Sequence, residues 1–316
     1  MREIGGYIEL DHYRQVMLHD DGIALNCGRN CLAYLIKQKN IKSIQIPYYL
    51  CDSINNICRK EQLNINHYHI GADFLPKGVI LKSDEWLYVV NYYGQLTQND
   101  IRQLHNKYHR IIIDQAQAYF QMPLSGIDTL YTCRKFFGVT DGAILYTDAE
   151  QMKNISIDES FGRVDFLLGR FERTASEFYN EYKANNKLFD NEPIKRMSRL
   201  TDNLLHGIDY SYVKRRRDEN YNYLFSILSD INHLNLKKIE GAFSYPLLLP
   251  NGEEIRKKLI DNNIYIPMLW PNVLHDVRED SLEYNMSLNI LPLPVDQRYG
   301  KKDMEFLVEK VQECIN

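Results

Sequence analysis

Residues 110–120 read RIIIDQAQAYF. Three β-branched apolar residues in a row, Ile111 to Ile113, suit a strand buried on both faces, and Asp114 stands directly at its end. In an open parallel sheet, ligands collect beyond the carboxyl ends of the strands. An acid there faces a ligand or caps the next helix, and the pattern leaves both open. Gln117, three residues on, points the same way.

Similar apolar runs flank this one. Ser43–Pro47 (SIQIP), Trp86–Tyr92 (WLYVVNY), Thr129–Thr132 and Ala143–Thr147 (AILYT) read as strands. Helical stretches alternate with them at 28–39, 52–61 and 97–108, the last with Thr97 as its cap. The expectation is an α/β fold with a mostly parallel sheet covered on both faces.

The pattern changes near residue 150. A helical segment over about 155–208 precedes a long amphipathic helix from Tyr210. The last part mixes a strand over 243–249, a helix over 253–262, a strand over Ile264–Met268 and a closing helix over 302–314. Two domains follow: a large α/β domain over 1–208 and a small C-terminal α+β domain over 209–316.

The chain has 316 residues, 44% hydrophobic and 25% charged, with a net charge of −4. That balance suits a globular protein with a sizeable core and gives no basic surplus for nucleic acid. The one dense basic run, Lys214–Glu219 (KRRRDE), reads as a solvated helix face. No stretch reaches the roughly 18 apolar residues of a membrane span, and the first residues are too polar for a secretory leader. The six cysteines form no C-x-x-C pair, and Cys27 and Cys31 find no second pair of metal ligands, so no metal is expected. A cytoplasmic location follows. The 23 tyrosines against two tryptophans reflect a pocket for a polar ring or sugar, or else an AT-rich gene.

Two further stretches carry chemistry. In Tyr131–Gly142 (YTCRKFFGVTDG), Lys135 lies just past a strand, flanked by Arg134 and two phenylalanines. Burial there, with Arg134 beside it, favours the neutral, nucleophilic amine; a side chain reaching out to solvent is the alternative. Gly138 and Gly142 allow tight turns. In Leu25–Ala33 (LNCGRNCLA), a polar loop enters a helix whose first amides suit an anion.

The order of these pieces resembles the fold-type I pyridoxal-phosphate enzymes, and in particular the DegT/StrS-type sugar aminotransferases. Those carry a Ser-Gly-Thr-Ala-like phosphate turn, an Asp-x-x-Gln-Ala motif, and a lysine followed by a Gly-Glu-Gly-Gly-like turn. Here the counterparts are Cys27-Gly28-Arg29-Asn30, Asp114-Gln115-Ala116-Gln117-Ala118, and Lys135 with Asp141-Gly142-Ala143. Pro47–Cys51, Val90–Gln95 (VNYYGQ) and Leu291–Pro294 are similar to further family segments. The resemblance spans almost the whole chain.

It implies a seven-stranded-type sheet, pyridoxal 5'-phosphate as cofactor, and transfer of an amino group from an amino acid, glutamate above all, to a nucleotide-linked keto-sugar. Lys135 is then the Schiff-base lysine, Asp114 the partner of the pyridine nitrogen and Gln117 a neighbour of the ring's phenolic oxygen. Gly28, Arg29 and Asn30 hold the phosphate, with Thr132 or Cys133 added from the lysine side, and Tyr49 or Cys51 lies against the ring. The family assembles its sites between two copies, so a homodimer is implied, with 160–205 and Pro267–Pro271 as candidates for the shared surface; Trp270 and His275 meet substrate or belong to the interface core. The phosphate turn departs from the family pattern by lacking a hydroxyl pair. That departure keeps two alternatives in view: another pyridoxal-phosphate reaction, such as a lyase or a small-ketone aminotransferase, and a relict binding protein.

Overall fold

The computed structural model describes residues 4–315. The apolar runs form one eight-stranded sheet in the spatial order β1-β8-β7-β6-β5-β2-β3-β4. The strands are β1 (Ile23–Leu25), β2 (Ser43–Pro47), β3 (Asn64–Ile70), β4 (Pro76–Lys77), β5 (Glu85–Val90), β6 (Ile111–Asp114), β7 (Asp128–Thr132) and β8 (Ala143–Tyr146). Pairs β2·β3, β2·β5, β5·β6 and β6·β7 are parallel, while β8 runs against both β1 and β7. The two-residue β4 adds an antiparallel edge to an otherwise seven-stranded sheet.

Strands β5, β6 and β7 are buried almost throughout because helices cover both faces, and Ile112 and Ile113 are wholly buried. Helices α1 (Gly28–Gln38), α2 (Asp52–Lys60) and α3 (Gln98–Tyr108) supply the cover. Thr97 caps α3 in a reciprocal capping box with Asp100. Connections after β2 and β5 leave in opposite directions across the sheet, so a crevice opens at the carboxyl ends of those two strands.

Helices α4 (Asp165–Glu172), α5 (Tyr179–Leu188) and α6 (Arg199–Leu205) follow, and then the long α7 (Tyr210–Leu228). The remainder holds β9 (Ser244–Leu248), α8 (Gly252–Asp261), α9 (Val273–Asp276), α10 (Leu282–Asn289), β10 (Ile290–Pro294) and α11 (Lys301–Ile315). β9 and β10 form a separate antiparallel pair. Tyr221, Leu224, Leu247, Ile255, Leu291 and Val311 bury one another around that pair in a core of their own.

Two expectations are corrected here. Ile264–Met268 is not a strand: the Ile264 N–H donates to Leu259 O at the end of α8, and Asn263 turns the chain with φ 59°. With those groups used and Pro267 lacking an N–H, the segment does not pair with β9 or β10, which pair with each other. The KRRRDE run is not wholly solvated either. Lys214 and Arg216 pair with Glu240 and Glu219 at the surface, but Arg217 turns inward and is 1% exposed. No described helix is long and apolar enough to cross a membrane.

Candidate active site

Asp114 ends β6 beside Val90 of β5. Alternation along β5 puts Tyr88 on the same face as Val90, and the Tyr88 hydroxyl donates to Asp114 Oδ2 at 2.8 Å. The Ala116 N–H donates to Asp114 Oδ1 at 2.8 Å. No helix follows, so this is a local turn around a carboxylate and not a helix cap. Burial pushes the Asp114 carboxyl above its ordinary value, opposed first by the charge of Lys135 and then by the Ala116 and Tyr88 hydrogen bonds.

Lys135 comes from the turn that follows β7. Its side chain is exposed, with Nζ 5.6 Å from the centre of the Phe243 ring. The expected burial between phenylalanines is thus corrected: Phe136 and Phe137 pack inward against Tyr119, and Lys135 between chain turns points outward. What Lys135 does meet is the field of Asp114.

The lysine turn is held from several sides. Cys133 N–H donates to Gly142 O at 3.0 Å, and Gly142 N–H donates to Asn26 O at 2.7 Å, joining the turn to the loop before α1. Gly142 has φ 107°, and a Cβ there would stand 3.0 Å from Thr201 and 3.3 Å from Cys133, so only glycine suits the position. Arg217 donates to Ala242 O at 2.8 Å, Gln297 Oε1 at 3.0 Å and Phe136 O at 3.3 Å; Gln297 adds a bond to Phe136 O at 2.8 Å. Burial lowers the Arg217 guanidinium to about 10. Neither Tyr88, Arg217 nor Gln297 was expected as a site residue. Strand register was a usable signal for Tyr88; a buried arginine inside a charged run leaves none.

Asp141, next to Gly142, is fully buried and accepts from Ser198 N–H at 2.7 Å, Ser198 Oγ at 2.6 Å and Thr201 Oγ1. It thereby ties the start of α6 to the lysine turn. Asp141→Ala leaves these donors buried without an acceptor, and a loss of about 3 kcal/mol is expected in equilibrium denaturation. A loss below about 1 kcal/mol would show that water replaces the carboxylate.

At the other side of the crevice, α1 begins at Gly28 with no side-chain cap and no acid in its first turn. A Cβ at Gly28 would make only ordinary contact, 3.8 Å from Leu130 and 4.0 Å from Thr132, which places the buried Thr132 against the helix start. The Asn30 amide is spent inward on Asn26 Oδ1 at 2.9 Å and Pro193 O at 2.8 Å, and Arg29 pairs with Asp190. Gln117 accepts from Tyr93 N–H at 2.7 Å, while its Nε2 is buried without a partner. Cys51 Sγ sits 2.8 Å from Ser53 Oγ at the start of α2. Tyr49 is 1% exposed and packs on Tyr92 and Trp270, so Trp270 belongs to the core, whereas His275 is exposed. Asp114, Gln117, Thr132, Lys135 and the start of α1 therefore gather at the carboxyl ends of the parallel strands.

No protein-family sequence model matches the chain, and no curated protein matches it by sequence. Solved structures do match in shape. DesV of S. venezuelae, in complex with a ketimine intermediate, is 13% identical and superposes with a TM-score of 0.66 over 92% of this chain and 84% of its own. The sugar aminotransferase CalS13 from Micromonospora echinospora is 14% identical, with a TM-score of 0.62 over 93% and 88%. NtdA from Bacillus subtilis, with bound cofactor PMP, is 12% identical, with a TM-score of 0.65 over 93% and 73%. At such identities the likeness is one of fold, and the chain has the aminotransferase fold that its motif order implies.

Proposed function

We propose that this chain is a pyridoxal-phosphate-dependent aminotransferase that moves an amino group from glutamate to the keto group of a nucleotide-linked sugar. The observation that carries the reading is the placement of Asp114 and Lys135 at the ends of the neighbouring strands β6 and β7: a buried carboxylate at one strand end and an exposed lysine in the turn after the next, whose charge opposes the upward shift that burial gives Asp114. The donor set fits the cofactor. Burial penalises the Asp114 charge, and a cationic pyridine nitrogen against it removes that penalty. Gln117 Nε2 offers a buried, unused donor, and the uncapped start of α1 beside Thr132 suits a phosphate. The sugar acceptor is supported by likeness to CalS13 and by motif order.

When bound, the cofactor supplies an electron sink for the carbon that loses its proton. Lys135 would hold the cofactor through its Nζ, and that amine would carry the proton away from the substrate α-carbon and return one on the acceptor side. Tyr88 and Ala116 hold the Asp114 oxygens in place, where the carboxylate would offset a positive charge on the cofactor's ring nitrogen. Gly142 and Arg217 fix the backbone on either side of Lys135. We assign the 209–316 segment as the small domain, and a second copy of the chain as the partner that covers the site.

Borohydride reduction of the protein with pyridoxal phosphate, followed by peptide mass mapping, tests the assignment. The expected product carries the reduced cofactor on Lys135, and glutamate added before reduction is expected to bleach the visible band. Modification at another lysine would overturn the reading. Failure of every amino donor to bleach the band would rule out transamination.

A further inference from the structure

Two guanidinium groups lie over Phe189, and a third pairs with the residue after it. Arg134 lies 4.5 Å from its ring centre, Arg163 lies 5.4 Å from it, and Arg29 pairs with the adjacent Asp190. Two of the three are neutralised: Arg29 by Asp190, and Arg163 by Asp158 at 2.9 Å. Arg134 has no carboxylate partner among the described residues. Its one side-chain hydrogen bond goes to the neutral Asn186 Oδ1 at 2.6 Å, and its Nε is shut away from solvent with no acceptor. Arg163 Nη1 is likewise buried and unpaired. A half-buried cation with a donor shut away from solvent, beside further guanidinium groups, is costly unless an anion joins them.

The position of Arg134 says where that anion sits. It precedes Lys135 and follows Thr132 and Cys133, and Thr132 packs against Gly28 at the start of α1. Burial raises both the Cys27 thiol, just before that helix, and the Cys31 thiol, one turn further in; the charges of Arg29 and then Arg134 oppose the rise at Cys27, and those of Cys27, Cys133 and Asp114 add to it at Cys31. One turn is about 5.4 Å of rise. The acid and the guanidinium thus act on successive turns, with the lysine turn running alongside. Within the Cys27–Asn30 turn, neither long side chain is available: Arg29 is neutralised and the Asn30 amide is spent on backbone. Arg134 remains.

We propose that Arg134 is the side chain that binds the cofactor's phosphate, with the amides at the start of α1, and that it stands in for the hydroxyl pair this turn lacks. The inference rests on the cofactor reading above. An arginine fork and a helix start together suit a dianionic phosphate. Asn186 holds the fork in place, and Arg163 closes the far side of Phe189.

The test is a binding titration of the full-length apoprotein, followed by absorbance, with pyridoxal phosphate and with pyridoxal, which lacks the phosphate. Arg134→Met is expected to weaken pyridoxal phosphate about 100-fold and to leave pyridoxal unchanged; Arg134→Lys, a point charge without the fork, falls between. Asn186→Asp keeps the arginine but gives it a competing carboxylate, and a weakening of about tenfold or more is expected for pyridoxal phosphate alone. That second variant keeps the test decisive where Arg134→Met does not fold. Arg134→Met and Asn186→Asp proteins that both hold pyridoxal phosphate like the wild type would overturn the proposal, and a raised KM for the amino donor would then reassign Arg134 to the substrate carboxylate. Wild-type protein that binds neither compound would overturn the cofactor reading, and this inference with it.

Discussion

Lys135→Ala is expected to yield a folded protein that no longer holds pyridoxal phosphate covalently and whose turnover falls by about 10⁴-fold or more, the upper range for removal of a proton-transferring group that is also the anchor. Because Lys135 is exposed and its neighbours Phe136 and Phe137 carry the packing, stability should stay within about 0.5 kcal/mol of the wild type. That separation makes the variant informative: loss of turnover with an unchanged denaturation curve points to chemistry. Lys135→Arg keeps the charge in the field of Asp114 yet forms no imine, so it should fail as completely. Turnover within tenfold of the wild type in either variant would remove Lys135 from the reaction.

The second large effect is expected at Asp114. Asp114→Asn keeps the size of the side chain and an acceptor for the Ala116 N–H, removes the charge, and turns an amide NH2 toward the Tyr88 oxygen in place of the carboxylate oxygen that accepted its hydroxyl. Turnover should fall by about 10³-fold, the scale of a lost electrostatic contact to charge that develops in the reaction. The effect on the apoprotein runs the other way. Burial raises the Asp114 carboxyl above its ordinary value, so the folded state keeps its proton to higher pH than the unfolded state does. That contribution to stability is present at low pH and is lost as pH rises through the raised value. At neutral pH, Asp114→Asn should therefore match or exceed the wild-type apoprotein in stability, while binding the cofactor more weakly. A variant that is both less stable and fully active would leave Asp114 a structural residue only.

Much of this was legible in the sequence, for a physical reason. Strands buried on both faces are rich in apolar residues, so the runs in β2, β5, β6, β7 and β8 announce themselves, and in β6 the charged residue falls at the strand end. Asp114 stands out that way, and Lys135 through its place in the order of motifs. Segment β3 does not stand out: next to the edge, with only the two-residue β4 beyond it, it leaves Asn64, Asn66, His67 and His69 exposed, and NINHYHI lacks the continuous run that identifies a central strand. β1 is only three residues long. Ile264–Met268 has the composition of a strand, but the pairing partner and free N–H groups that decide the matter are set by distant residues. Tyr88 hides among apolar neighbours, and Arg217 hides within a basic run. What composition cannot convey is which hydrogen bond a buried polar group will find, and the support of the lysine turn is made of such bonds.

The grip on the Phe136 carbonyl has a bearing on how the protein is made. Its two donors, Arg217 and Gln297, lie 81 and 161 positions further along the chain. A ribosome that has delivered β7 and the lysine turn has delivered neither. While the chain is still emerging, the sheet can assemble around β5, β6 and β7, but the turn that bears Lys135 lacks its clamp until the penultimate stretch of the chain has left the exit tunnel. Competence at Lys135 is therefore a late event in biosynthesis, and a nascent chain halted before residue 297 would carry a formed sheet with an unsecured lysine.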